Sequence, residues 1–256
     1  MTYRESGRGR PLVLLHGWSM SSAVFAEALS AFSNDYRVLA PDLRGHGDSE
    51  AGPGYRLADL TGDIRQWMEG LELDGVLLLG WSLGGQVAME LAKDSPVRIQ
   101  KLILQSTTPR FTSADDWDAG LPPGQVRAMM RDLNRNYRKT MGDFFAMQFA
   151  QEEMPRDRFW KVVDFAVREG KLPPVDVALA VLETLARENQ CPDLHLIDLP
   201  VLVVHGELDR ITPTAAGRYL ADRIAGSRYT MIEGCGHAPF LSLPEQVFST
   251  WWEFLK

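Results

Sequence analysis

Short runs of consecutive apolar residues alternate along this chain with longer stretches whose apolar positions recur every three to four residues. The first kind predicts strands buried on both faces, and the second predicts helices packed on a sheet. Their alternation is the signature of βαβ units and a mostly parallel sheet, an α/β fold. Strands are expected at residues 11–15, 37–40, 76–79, 101–105, 200–204 and 229–232. Between them Phe25, Leu29 and Phe32 recur at helical spacing after Ser21 and Ser22, an expected N-cap. Leu60, Ile64, Trp67, Met68 and Leu71 form a second stripe, residues 83–93 a third helix, and Val247, Phe248, Trp251 and Leu255 a closing one.

Residues 109–199 break the rhythm. They separate two expected strands by about 90 residues, where αβ connections run to about 2–6. Helical patterns recur inside (Val126, Met129, Met130, Leu133, Tyr137; then Phe144, Phe145, Met147, Phe149), broken at Pro122 and Pro123, at Pro155, and at Pro173 and Pro174. The expectation is a helical cap, 109–199, inserted into a core formed by 1–108 and 200–256.

Composition narrows the class. With 256 residues, 45% hydrophobic and 24% charged, the chain reads as one globular domain carrying an insertion. Twenty-seven basic against 34 acidic residues give a net charge of −7, a poor match for a phosphate backbone, so no nucleic-acid partner is expected. No apolar run approaches the roughly 20 residues of a membrane helix, and the polar start, Met1 to Arg10, lacks the apolar stretch of a secretory signal. Cys191 and Cys235 are too few for a disulfide framework or a thiolate metal site. A cytoplasmic, monomeric protein without membrane contact, metal or cofactor is expected.

The chemistry begins where the third expected strand ends. Gly80-Trp81-Ser82-Leu83-Gly84 follows that strand and opens a helix, the context of a G-x-S-x-G nucleophile elbow. Small residues permit the sharp turn that lifts the Ser82 hydroxyl out of the sheet and aims the Leu83 N–H at a developing oxyanion. The competing reading is an ordinary glycine-rich turn with a capping serine. A serine hydroxyl needs a base, and five histidines are available: His16, His46, His195, His205 and His237. The chain order serine, acid, histidine selects His237, in the turn after the last strand. The acid belongs after an intervening strand. Residues 200–204 run into His205-Gly206-Glu207-Leu208-Asp209, which makes Asp209 the choice and Glu207 its competitor. A second oxyanion donor is expected from Leu14-Leu15-His16-Gly17-Trp18 through the Trp18 N–H, although Trp18 could equally be a core aromatic.

These residues resemble the α/β-hydrolase fold over nearly the whole chain, as does the turn Pro41-Asp42-Leu43-Arg44-Gly45-His46-Gly47-Asp48-Ser49. More narrowly, His16-Gly17-Trp18, the Trp81 elbow with Gly85, the segment Phe144-Phe145-Ala146-Met147-Gln148, Gly236-His237-Ala238-Pro239-Phe240, and residues 106–117 resemble the pimeloyl-[acyl-carrier protein] methyl ester esterase family of biotin synthesis. The resemblance implies a carboxylesterase with Ser82, Asp209 and His237 as its triad. It also implies Trp18, Ser82, Leu83, Phe144, Phe145, Ala146, Met147, Gln148 and His237 as substrate contacts, and an acyl carrier protein as partner. One departure is Asp143, where that family can carry a basic residue.

An acidic carrier needs local positive charge to attract it. Residues 121–171 hold ten basic and seven acidic side chains, and Arg138, Lys139, Arg156 and Arg158 are the candidate docking set. A solvated helix face with internal charge pairs is the plainer account of them. Likewise Phe144, Phe145, Met147 and Phe149 either line an acyl channel or pack the cap. Other functions remain open at this point: a broad short-chain carboxylesterase, a related lyase of quinone synthesis, or a non-catalytic small-molecule receptor. Dehalogenases and epoxide hydrolases are disfavoured, because they place an aspartate where Ser82 stands.

Overall fold

All six expected strands belong to a single sheet in the computed structural model, which describes residues 1–93 and 98–256. Its strands are β1 (Tyr3–Ser6), β2 (Arg10–Leu15), β3 (Tyr36–Pro41), β4 (Val76–Trp81), β5 (Ile99–Gln105), β6 (Val201–Gly206) and β7 (Arg228–Ile232), in spatial order β1-β3-β2-β4-β5-β6-β7. Every pairing is parallel except β1 against β3. The unbroken apolar runs of β2 and β4 are buried because helices cover both faces. Those helices are α1 (Ala26–Phe32), α2 (Leu57–Gly70) and α3 (Leu83–Lys93) in the first half. Between β5 and β6 come α4 (Pro123–Arg135), α5 (Tyr137–Met147), α6 (Arg156–Val162) and α7 (Val175–Arg187). After β6 follow α8 (Thr214–Arg223), α9 (Pro239–Ser242) and α10 (Pro244–Leu255). No helix among the described residues is long and apolar enough to cross a membrane.

The topology already positions a site. From β2 the chain crosses outward to β3, then returns to place β4 on the other side of β2. That reversal opens a crevice at the carboxyl ends of β2 and β4, the switch point where ligands of open α/β sheets bind. With Leu15 opposite Gly80 in the ladder, the turns after both strands emerge side by side.

Some elements differ from expectation. β1 lacks an apolar run: it is a short edge strand with polar side chains, as unpaired sheet edges usually are. The prolines of the insert begin helices rather than merely interrupting them. Pro123 opens α4, while Pro155 and Pro174 immediately precede α6 and α7, where a missing N–H costs no helical bond. The stripe from Val126 to Tyr137 divides into two helices at Asn136, whose side chain accepts the Lys139 N–H and caps α5.

Two histidines are structural. His16 Nδ1 donates to the Gly17 carbonyl at 2.8 Å, and its Nε2 accepts the Leu43 N–H at 2.9 Å, an arrangement that requires the neutral ring. His46 lies 5.3 Å from it, centroid to centroid, and burial, aided by His16, lowers its pKa to about 3. An unfolded imidazole takes up a proton near pH 6.5, so between about 6.5 and 3 the unfolded chain binds more protons and stability falls as pH falls. Between pH 7 and 4.5 this one group should remove about 3 kcal/mol. Urea unfolding of the protein and of His46→Gln at both pH values checks it: the variant should lose less stability than the parent, and equal losses would refute the assignment.

Candidate active site

Ser82 stands between β4 and α3 with a φ of 55°, in the left-handed region that a side chain occupies only when the surroundings impose it. Those surroundings are crowded backbone. A Cβ on Gly80 would lie 2.2 Å from the Gly84 carbonyl oxygen, and one on Gly84 would lie 2.2 Å from the Leu15 oxygen. The Ser82 N–H donates to the Gln105 carbonyl at 3.0 Å, and Thr107 Oγ1 donates to the Ser82 carbonyl at 2.7 Å. The end of β5 therefore braces the elbow, a role for Thr107 that its neighbourhood in sequence does not announce.

Across the switch point, Gly17 approaches so closely that an added Cβ would sit 3.2 Å from Ser82 Cβ. Trp18, next in sequence, is buried, donates its indole N–H to the Ala178 carbonyl at 2.9 Å and meets Phe144 edge to face at 4.8 Å. It is thus an aromatic support between core and insert, and its backbone lies beside the elbow. Leu83 opens α3, so its N–H has no partner within the helix and points from the positive end of the helix dipole.

His237 follows β7 and is buried; its Nδ1 lies 2.8 Å from Asp209 Oδ2. Trp81 holds it beside the elbow: the indole N–H donates to the His237 carbonyl at 3.0 Å, with ring centroids 5.6 Å apart. Asp209 follows β6 and is fully engaged. Its Oδ1 accepts the Ile211 and Thr212 N–H groups, each at 2.9 Å, and its Oδ2 accepts the Thr212 hydroxyl at 2.8 Å. Burial pushes the Asp209 carboxyl up, but the His237 charge and hydrogen bonds from His205 and His237 outweigh it and hold the group well below the usual carboxylate range. A permanently ionised Asp209 selects the Nδ1–H tautomer of His237, leaving the basic lone pair on Nε2. The competitor, Glu207, is exposed and accepts the Gly234 N–H at 3.0 Å. His205 is buried behind Asp209, its Nε2 2.6 Å from the Thr212 carbonyl. His195 is exposed in the connection before β6. No group of histidine, cysteine and carboxylate side chains among the described residues has metal-binding geometry.

An open cleft of about 1140 Å³ runs from the insert to the acid loop. Phe111, Met129, Phe144, Met147 and Arg210 line it, and it reaches Asp209 without including Ser82 or His237 in its wall. Helical periodicity decides which expected substrate contacts belong to it. Asn136, Thr140, Phe144 and Met147 share one face of α5 and line the cleft. Phe145 turns toward Phe149 and Phe159, and Ala146 lies on a separate exposed depression beside Trp160. Neither of those two lines the cleft. Gln148 is buried, and its backbone carbonyl accepts the His237 N–H at 2.8 Å.

The expected docking cations divide as well. Arg138, Lys139 and Arg156 are exposed, Lys139 in a surface pair with Asp143 at 2.5 Å. Arg158 is a correction to the expected set. Its guanidinium holds both oxygens of Glu27, at 2.8 and 2.6 Å, and donates to the Leu241 carbonyl at 2.7 Å, so it fastens the insert to the core.

The family model described as alpha/beta hydrolase fold matches residues 10–244. A protein of Nitrosomonas europaea named pimeloyl-[acyl-carrier protein] methyl ester esterase is 34% identical over 245 residues, covering 95% of each chain. One of the same name from Aeromonas hydrophila is 34% identical over 247 residues, covering 94% of this chain and 93% of its own. Among solved structures, an esterase from Exiguobacterium antarcticum superposes with a TM-score of 0.90 at 27% identity, covering 98% of this chain and 94% of its own.

Proposed function

This chain belongs to the α/β-hydrolase family, and from that membership and the site just described we propose that it is a serine carboxylesterase acting on the methyl ester of pimeloyl-[acyl-carrier protein]. The observation that carries the chemistry is the buried His237–Asp209 bond held by Trp81 beside the elbow serine. What supports the substrate is the likeness to relatives of that name over almost the full chain, together with an apolar-walled cleft large enough for an acyl chain and the end of a carrier arm.

In this reading His237 Nε2 takes the Ser82 proton as Ser82 Oγ attacks the ester carbonyl carbon. The Trp18 and Leu83 N–H groups stabilise the tetrahedral oxyanion. The imidazolium returns the proton to the departing methoxide, which leaves as methanol. A water then attacks the acyl-serine with His237 again as base, freeing the pimeloyl carboxylate and regenerating the serine. Asp209 stabilises the imidazolium and stays ionised throughout. Residues 109–199 act as the cap over the core, with Phe144 and Met147 guiding the acyl chain and Gln148 placed next to the base. The reading places the protein in the cytoplasm with its carrier.

Growth of a biotin-requiring strain lacking its own methyl ester esterase tests the substrate. Rescue by this chain and not by Ser82→Ala supports the dedicated role; ester turnover in vitro without rescue supports a broad esterase instead. Carrier docking has its own expected result. Reversing Arg138, Lys139 and Arg156 to Glu should raise KM for a carrier-bound ester at low salt and leave a small free ester unaffected, because steering between charged surfaces is long-ranged and screened by salt. Equal responses of both substrates would place the carrier elsewhere.

A further inference from the structure

The loops that carry His237 and Asp209 both meet one turn of the insert, residues 148–152. The Gln148 carbonyl accepts the His237 N–H at 2.8 Å. Glu152 Oε1 accepts the Gly236 N–H at 2.6 Å. Gln151 Oε1 accepts two bonds from the Arg210 guanidinium, at 2.6 and 3.1 Å, and Arg210 is the neighbour of Asp209. Gly236 is what lets the turn come so near: a Cβ there would lie 2.4 Å from the Gln148 oxygen and 2.9 Å from Glu152 Oε1.

Glu152 is therefore bonded to the residue immediately before His237. A carboxylate in a half-buried seam is costly unless a donor meets it, and here the Gly236 N–H does. Burial raises its proton affinity, and the Gly236 bond opposes that shift. A general base has to be held to within about 0.5 Å and 10–20° of its working geometry. Asp209 fixes one ring nitrogen of His237 and Trp81 its carbonyl, while its N–H is tied from outside the core, by this turn.

We propose that Glu152 is a positioning residue for His237, holding the histidine loop to the insert through the Gly236 N–H. Because the same turn ends the helix whose Phe144 and Met147 line the cleft, the insert that receives the substrate also sets the base. The proposal rests on the assignment of His237 as the base.

The test compares Glu152→Ala with Glu152→Gln, using a small free ester and, in parallel, the low-field proton resonance of the His237–Asp209 bond. The Gln amide oxygen still accepts from Gly236, so that bond is restored without the charge. Glu152→Ala should lower kcat about 10- to 100-fold with KM within twofold, and its low-field resonance should shift or broaden. Glu152→Gln should recover at least half of kcat and keep the resonance. Unchanged kcat in Glu152→Ala overturns the proposal, and so does a Gln variant as impaired as the Ala variant. Should Glu152→Ala not fold, Glu152→Asp decides, since its shorter side chain draws back from the Gly236 N–H: a severalfold lower kcat at unchanged KM supports the role, and a parental kcat overturns it. Ser82→Ala and His237→Ala, measured alongside, separate the two layers. If they retain turnover, the base assignment has failed; if they are inactive while Glu152→Ala matches the parent, only the present inference has.

Discussion

Ser82→Ala should abolish ester turnover, lowering kcat by several orders of magnitude while the fold and KM for a small ester change little. His237→Ala should cost a similar amount, and the double variant hardly more than either single one. Nucleophile and base act in one proton transfer, so removing either removes the whole step, and what survives is oxyanion stabilisation and binding. Folding is not expected to suffer at Ser82. Its left-handed backbone is imposed by Gly80, Gly84 and the strand ends, and alanine keeps the Cβ already accommodated there. Steady-state kinetics of the three variants, with circular dichroism as a folding control, provide the check. Losses that multiplied in the double variant would mean that serine and histidine act in separate steps.

Asp209→Asn is expected to be the next most damaging change, by about 10⁴-fold in kcat if it follows the serine-protease precedent for that substitution. The amide can still accept the Ile211 and Thr212 N–H groups through its oxygen. Its NH₂ then faces His237 Nδ1 and draws the ring into the tautomer whose Nε2 carries a proton, which cannot act as base. Glu207→Gln should be almost silent, because Glu207 is exposed and its bond to the Gly234 N–H survives in the amide. The reverse pattern would mean that Glu207 is the acid. The pH profile supplies a further distinction: Asp209 is held well below the usual carboxylate range, so it should contribute no ionisation of its own to the acid limb of kcat/KM. A carboxylate-like ionisation in that limb that persists in Glu152→Gln would contradict the full ionisation of Asp209.

Much of this was legible along the chain because some constraints are local. A strand buried on both faces must be apolar throughout, so β2 and β4 announce themselves, and a sharp strand-to-helix turn must be built from small residues, so the elbow does too. The order of serine, acid and histidine along the chain pointed to His237, and the turn after an intervening strand pointed to Asp209 with Glu207 as its competitor. What remained hidden depends on neighbours distant in sequence. β1 is a strand only because β3 offers it an edge, and its polar side chains carry no apolar signal. Helix phase on α5 separates Phe144 and Met147, at the cleft, from Phe145, in the packing, and composition could not have done so. Arg158 counted as a surface cation until Glu27 claimed it. Thr107, Thr212 and Glu152 brace the serine, the acid and the histidine loop through bonds to backbone or carboxylate brought near only by folding. The sequence by itself determined which side chains are the candidates for chemistry, because reactivity requires particular side chains at particular turns. The tertiary structure decided which residues aim and support them, because a hydrogen bond to a loop depends on where the donor and acceptor end up in space.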